Sequence, residues 1–215
     1  MVLKQKSVVC FDLGGVLVRI CRSWAEVVTT AGFDARVPAD VPEPHLVQHR
    51  RRLIDEHATG ALTNEAYYQA MSHAFSGLYT PAEMEQIHQA WTLNLYPGVT
   101  ELITELNDLD HVVTACLSNT NDAHWQRLVG DEYAPIRTLQ HCLASHQLRV
   151  AKPNPEIYQR ALTAFGVQPD QVIFFDDLAE NVASARQAGW QAEQLDPLGD
   201  TATQMRRHLQ QRGVL

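Results

Sequence analysis

The chain has 215 residues, 45% hydrophobic and 20% charged, with 17 Lys and Arg against 25 Asp and Glu, for a formal net charge of −8. That length allows one sizeable core, or a core plus a smaller insertion. The acidic balance argues against a general nucleic-acid binder, which needs a basic face for phosphate backbones. One small phosphate, held by a local cation or two, remains compatible with it.

No apolar run reaches the roughly 18 residues that span a bilayer, and "MVLKQKS" lacks the apolar segment of a signal peptide. A cytoplasmic protein with no membrane partner is expected. The four cysteines, Cys10, Cys21, Cys116 and Cys142, show no C-x-x-C spacing, and two lie in strand-like runs. They read as reduced core thiols rather than disulfide or metal ligands.

In chain order, the first strand signal is "SVVCF" at 7–11, which leads directly into Asp12, Gly14 and Gly15. Up to the next strand signal, at 112, the patterns are helical. Ser23 and Glu26 form a capping box ahead of "WAEVVTTAG", and Thr80, Pro81 and Glu83 do so for "PAEMEQIHQAW". Between them run "HLVQHRRRLIDEH" and "NEAYYQAMSHAF", with the Pro-rich "VPADVPEP" as a short loop. Strand signals then return at 112–117, 141–145, 172–175 and 192–195, separated by helices. "NPEIYQRALTAFG" offers Asn154 as cap, Pro155 at the first position and Gly166 as stop; "LAENVASARQAG" ends at Gly189. Strands alternating with helices imply right-handed crossovers and a parallel sheet, with ligands beyond the strands' carboxyl ends. The expected fold is α/β: a doubly wound, Rossmann-like parallel sheet core (1–18 and 96–215) with an inserted all-helical cap domain (19–95) placed as a lid.

Four polar groups fall at or just past the ends of core strands: Asp12; Ser118 and Asn119; Lys152 with Pro153; and Asp176 with Asp177, Asn181 following a helical turn later. On one edge of one sheet they converge. Their types fit phosphoryl transfer, which needs an in-line nucleophile, a divalent cation and donors for the phosphate oxygens. Asp12 can attack and form an acyl phosphate. Asp12 with the Asp176–Asp177 pair can hold Mg²⁺. Ser118 hydroxyl and Asn119 backbone N–H can hold a phosphate oxygen, and Lys152 can neutralise charge.

The segments "FDLGGVLV", "LSNTN", "KPNPEIY" and "FFDDLAEN" resemble, in order and over nearly the whole chain, the haloacid dehalogenase superfamily with a helical cap of its first type. Within the superfamily these motifs resemble those of the bacterial α-D-glucose-1-phosphate phosphatase and its relatives. The resemblance implies Asp12 as nucleophile and metal ligand, Asp177 as metal ligand, and Asp176 as a nearer or water-linked helper. It implies Ser118, Asn119 and Lys152 as phosphate-binding residues and Asn181 as their orienter. Two departures stand out. Most phosphatases of the superfamily carry Asp where Gly14 stands, as acid and then base; Gly14 keeps only the backbone carbonyl that binds the metal. General acid–base help is worth about a hundred- to ten-thousand-fold, so an anomeric leaving oxygen, as in an aldose 1-phosphate, is favoured. Arg149 stands where relatives often have Gly, either crowding the loop or adding a cation.

The expected function is therefore a Mg²⁺-dependent phosphatase acting on a small phosphorylated metabolite, most plainly a sugar phosphate, as a monomer or homodimer. A 2-haloacid dehalogenase, which also lacks the second Asp, and a non-catalytic binding or regulatory protein are the alternatives. Two adjacent carboxylates buried without a cation would be costly in the dehalogenase. The pairs His45/His49 and His141/His146 read as solvated faces rather than zinc sites, and "HRRRL" as a surface charge run. Trp24, Trp91 and Tyr96 read as packing residues rather than sugar platforms. His57 is a minor candidate for the missing acid.

Overall fold

Strand β1 (Ser7–Phe11) lies at the centre of a five-stranded sheet in the order β5-β4-β1-β6-β7, with β4 Val112–Ser118, β5 His141–Ala144, β6 Val172–Asp176 and β7 Gln191–Gln194. Every pairing is parallel. In this computed structural model, residues 6–36 and 44–215 are described. Val9 and Phe11 point to one face of β1 and Val8 and Cys10 to the other, and all four are fully buried. Burial on both faces is why the strand reads as an unbroken apolar run. Helices α5 (Val99–Asn107) and α11 (Thr201–Gln211) cover the first face through Leu102, Ile103, Met205 and Leu209. Helices α9 (Pro155–Phe165) and α10 (Ala179–Gln187) cover the second through Ile157, Tyr158, Val182 and Ala185. The local signals act as expected at α9: Asn154 accepts from Glu156 N–H, and Gly166 closes the helix at φ +68°.

The chain leaves the sheet after β1 into a helical insert: α1 (Trp24–Thr30), α2 (Pro44–Ala58), α3 (Asn64–Ala74) and α4 (Pro81–Gln89). They share a separate core of Val27, Leu53, Tyr68, Met71, Phe75, Tyr79 and Ile87. The Thr80–Glu83 capping box is reciprocal. At α1, Ser23 caps Glu26 N–H, but the Glu26 carboxylate takes the Arg22 N–H instead of the Ser23 one. The insert is not purely helical. Its ends form short strands, β2 (Val18–Ile20) and β3 (Thr92–Leu95), that pair antiparallel. Flanking bonds from Cys21 N–H to Trp91 O and from Tyr96 N–H to Leu17 O extend the seam. The loop expected at 37–44 falls on residues 37–43, outside the described residues. Between the later strands lie α6 (Asp122–Leu128), α7 (Ala134–Arg137) and α8 (Ser145–Leu148). Cys10, Cys21, Cys116 and Cys142 are free thiols. Among the described residues no helix is long and apolar enough to cross a membrane.

Candidate active site

The strand order reverses direction at β1, whose neighbours β4 and β6 are reached by crossovers to opposite sides. A crevice opens at such a point beyond the carboxyl ends. Asp12 ends β1, Ser118 ends β4, and Asp176 and Asp177 close β6, so topology alone brings them together. Carboxylate oxygens of Asp12, Asp176 and Asp177 lie within 4.8 Å of one another. The Lys152 ammonium, with no exposed side-chain surface, lies 3.0 Å from Asp12 Oδ1 and 2.7 Å from Asp176 Oδ2.

Each group has a distinct set of partners. Asp176 is fully buried and fully engaged: Oδ1 accepts from Leu178 N–H and Asn181 Nδ2, and Oδ2 from Lys152 and the same Asn181 amide. Asp12 Oδ1 accepts from Leu13 N–H at 2.7 Å and from Lys152, while Oδ2 has no hydrogen-bond partner among the described residues. Asp177 meets Arg22 of the insert at 2.9 Å. Asn119 is exposed, but its side chain clasps the Lys152 backbone, donating to its carbonyl and accepting from its N–H, both at 2.8 Å. Gly15, at φ +80°, is required here, because a Cβ would sit 2.5 Å from Asp177 Oδ2. Gly14 is not in the left-handed region, and a Cβ there would meet only Ile20 side-chain atoms at 3.4 Å.

Charge follows from this geometry. Three carboxylates meet two cations: the buried Lys152 ammonium between Asp12 and Asp176, and the Arg22 guanidinium on Asp177. Burial pushes the Asp12 carboxyl up to about 7 against the pull of Lys152, and the charge on Asp176 adds to the rise. Burial alone would lower Lys152, but Asp12 and Asp176 outweigh it and hold the ammonium above its ordinary value. The cluster is short of positive charge, and a divalent cation fits that deficit.

A cavity of about 130 Å³ starts at Gly14, Ser118 and Asn119 and reaches Trp91, Thr92, Thr120 and His124. A larger apolar chamber of about 460 Å³ lies within the insert, away from the acids, and Trp91 is the residue common to both linings. Trp24 stacks on Phe75 at 4.3 Å in that chamber, and the Tyr96 hydroxyl donates to Pro197 O. His57 is stacked on Tyr67, and its Nε2 is on Asn64 Oδ1. Arg149 donates to the Gly60 carbonyl and so joins the insert to α8. The "HRRRL" run divides: Arg51 and Arg52 are exposed, whereas Arg50 lies 3.7 Å over the Phe75 ring. His141 meets Phe165 and His146 meets Trp125, while the His45 side chain lies outside the described residues.

Sequence reasoning missed three features. Arg22 carries no motif. His88 of α4 and His124 of α6 stack at 3.9 Å and share the Asn121 amide, and Ser145 Oγ donates to Ala58 O across the same seam. Only the Asn121–His124 spacing, an N-cap pattern, was available in the sequence.

A family model described as haloacid dehalogenase-like hydrolase matches residues 6–189, and the chain belongs to that family. It is 32% identical over 108 residues to (S)-2-haloacid dehalogenase 4A of Burkholderia cepacia, covering 50% of this chain and 46% of that protein. It is 38% identical over 73 residues to phosphatase MT3486 of Mycobacterium tuberculosis, covering 34% of each. The matches thus span less than half of either curated relative. In fold it is similar to the HAD family enzyme BT-2542 of Bacteroides thetaiotaomicron, solved with magnesium and inorganic phosphate. The TM-score is 0.72 at 19% identity, over 91% of this chain and 96% of that one.

Proposed function

We propose that the protein is a Mg²⁺-dependent phosphatase acting on a small phosphorylated metabolite, an aldose 1-phosphate such as α-D-glucose 1-phosphate, through an aspartyl-phosphate at Asp12. The observation that supports it most is the acid cluster: carboxylate oxygens of Asp12, Asp176 and Asp177 lie within 4.8 Å of one another, with Lys152 between the first two and Arg22 on the third. Asp12, Asp177 and the Gly14 carbonyl would hold the ion, with Asp176, saturated by protein donors, acting through Lys152 or a water. When bound, the cation offsets phosphoryl charge and orients the ester.

Asp12 attacks phosphorus as the bond to the leaving oxygen breaks. Lys152 offsets charge between nucleophile and phosphate, and Ser118 hydroxyl and Asn119 N–H donate to equatorial oxygens. The departing alkoxide takes its proton from solvent, because Gly14 offers none. Water then opens the acyl phosphate, returning Asp12 and releasing inorganic phosphate. An anomeric oxygen leaves with less need of protonation, since the ring oxygen withdraws electron density. In this reading 1–18 and 96–215 are the catalytic core and 19–95 the cap that selects substrate. The protein works in the cytoplasm as a monomer or homodimer, without nucleic-acid or membrane partners.

The similarity to a haloacid dehalogenase and the glycine at 14 favour a second reading, in which Asp12 attacks a halogen-bearing carbon. Phosphate release from a panel of esters, with and without Mg²⁺, separates the two. Metal-dependent release supports the phosphatase, and chloride release from 2-chloropropionate without metal refutes it. Silence in both assays selects a non-catalytic binding protein. Asp12→Asn should abolish turnover; a variant keeping more than about a tenth of the rate refutes the covalent route.

A further inference from the structure

Two of the four cysteines face each other across neighbouring strands. Cys116 of β4 and Cys142 of β5 are register partners in the parallel ladder. Their side chains share one face of the sheet, where Cys142 packs against the cluster that contains Cys116. Neighbouring strands lie about 4.8 Å apart, within the roughly 4.4–6.8 Å between Cα atoms that a disulfide spans. Both thiols are free. Cys10 sits on the opposite face of the sheet and Cys21 in the insert, so neither competes for this pairing.

The two thiols differ in access and in acidity. Cys116 is fully buried, whereas Cys142 is partly exposed on the edge strand of the sheet. The Cys142 thiol donates to the Ile136 carbonyl at 3.7 Å and accepts from the Cys116 thiol. That second hydrogen bond lowers Cys142 below the ordinary thiol range; together with burial it raises Cys116 well above that range. A reachable thiol with an eased proton loss oxidises first, and a thiol in contact with it can then close the bond.

We propose that Cys116 and Cys142 are a site of reversible oxidation, at which hydrogen peroxide oxidises Cys142 and Cys116 then closes a disulfide between β4 and β5. In the first step the Cys142 thiolate attacks a peroxide oxygen and the O–O bond breaks. A sulfenic acid forms, and the departing hydroxide takes up the thiol proton as water. In the second step Cys116 Sγ attacks Cys142 Sγ, the S–O bond breaks, and the hydroxyl leaves as water with the Cys116 proton. Both sulfurs are oxidised and the peroxide is reduced; dithiothreitol returns both to thiols. The bond ties the strand that ends in Ser118 to the strand that leads towards Lys152. It is independent of the reaction assigned to Asp12.

The test treats the folded protein with hydrogen peroxide, counts thiols in denaturant, and maps links by mass spectrometry of a non-reduced digest. The wild type should fall from four thiols to two and lose about 2 Da, with dithiothreitol restoring all four. The digest should contain one linked pair of peptides, carrying Cys116 and Cys142. In Cys116→Ala the second step is blocked, so Cys142 should accumulate as a sulfenic acid that dimedone traps. Four thiols retained in the wild type overturns the proposal. So does a sulfinic acid at Cys142, or a bond to any other cysteine, in place of the expected link. The wild type alone yields this decision, whether or not the variant folds.

Discussion

His124→Gln isolates an acid-sensitive joint between insert and core. His124 Nε2 donates to the His88 carbonyl, so Nδ1 is a lone pair facing the Asn121 amide at 3.5 Å. The same amide faces His88 Nε2 at 3.2 Å, and His88 Nδ1 meets the Tyr68 hydroxyl at 3.3 Å. Each donor finds an acceptor only while both imidazoles are neutral. A proton on either inner nitrogen would set N–H against N–H and charge one of two rings stacked 3.9 Å apart. Burial accordingly lowers His124 to about 4, and burial with the His124 neighbour lowers His88. From an ordinary value of 6.5, the His124 displacement is worth about 3 kcal/mol. Between pH 6.5 and 4 the unfolded chain binds this proton and the native one does not, so stability rises with pH through that window and is complete above it. Asp12, raised to about 7, works in the opposite direction over the same range. The informative quantity is therefore the difference between wild type and variant in urea unfolding at pH 7, 6, 5 and 4. Glutamine keeps a donor for the His88 carbonyl but does not titrate. The stability advantage of the wild type should shrink by about 3 kcal/mol from pH 7 to 4. A difference constant within about 1 kcal/mol would refute the neutral-pair reasoning.

Gly14→Asp, which the backbone conformation permits, should raise turnover of primary-alcohol phosphates about tenfold or more while changing aldose 1-phosphates little; equal gains on both would sink the leaving-group argument. Gly15→Ala forces a Cβ onto Asp177, so Mg²⁺ affinity measured by calorimetry should fall at least about tenfold, and wild-type affinity would show that Asp177 is not a ligand. Because Asp12 titrates near 7 and must be ionised to hold a metal, Mg²⁺ binding should release a proton and weaken about tenfold per pH unit below 7. Binding that is independent of pH and buffer would count against Asp12 as ligand.

The central strands β1 and β6 were legible because each is buried on both faces and spells this out locally, as "SVVCF" and "VIFF" do. The converging groups were legible because parallel topology sends every strand's carboxyl end to one edge. Strands β2 and β3 were not, because three or four residues such as "VRI" and "TLNL" become strands only by pairing across the whole insert. The partner of Arg149, the ion pair between Arg22 and Asp177, and the imidazole stack share that origin. Each joins residues brought together by docking of the insert, which no local periodicity records.

The β2–β3 ladder places the two ends of the helical insert next to each other. Whatever is strung between Ile20 and Thr92 can be lengthened, trimmed or exchanged without disturbing how β1 meets β4 and β6. Under the phosphatase reading, bond-making machinery and taste in leaving groups would be separable pieces of one polypeptide. Transplanting a foreign helical segment at that ribbon, with Arg22 kept beside Asp177, is the natural way to retune the molecule.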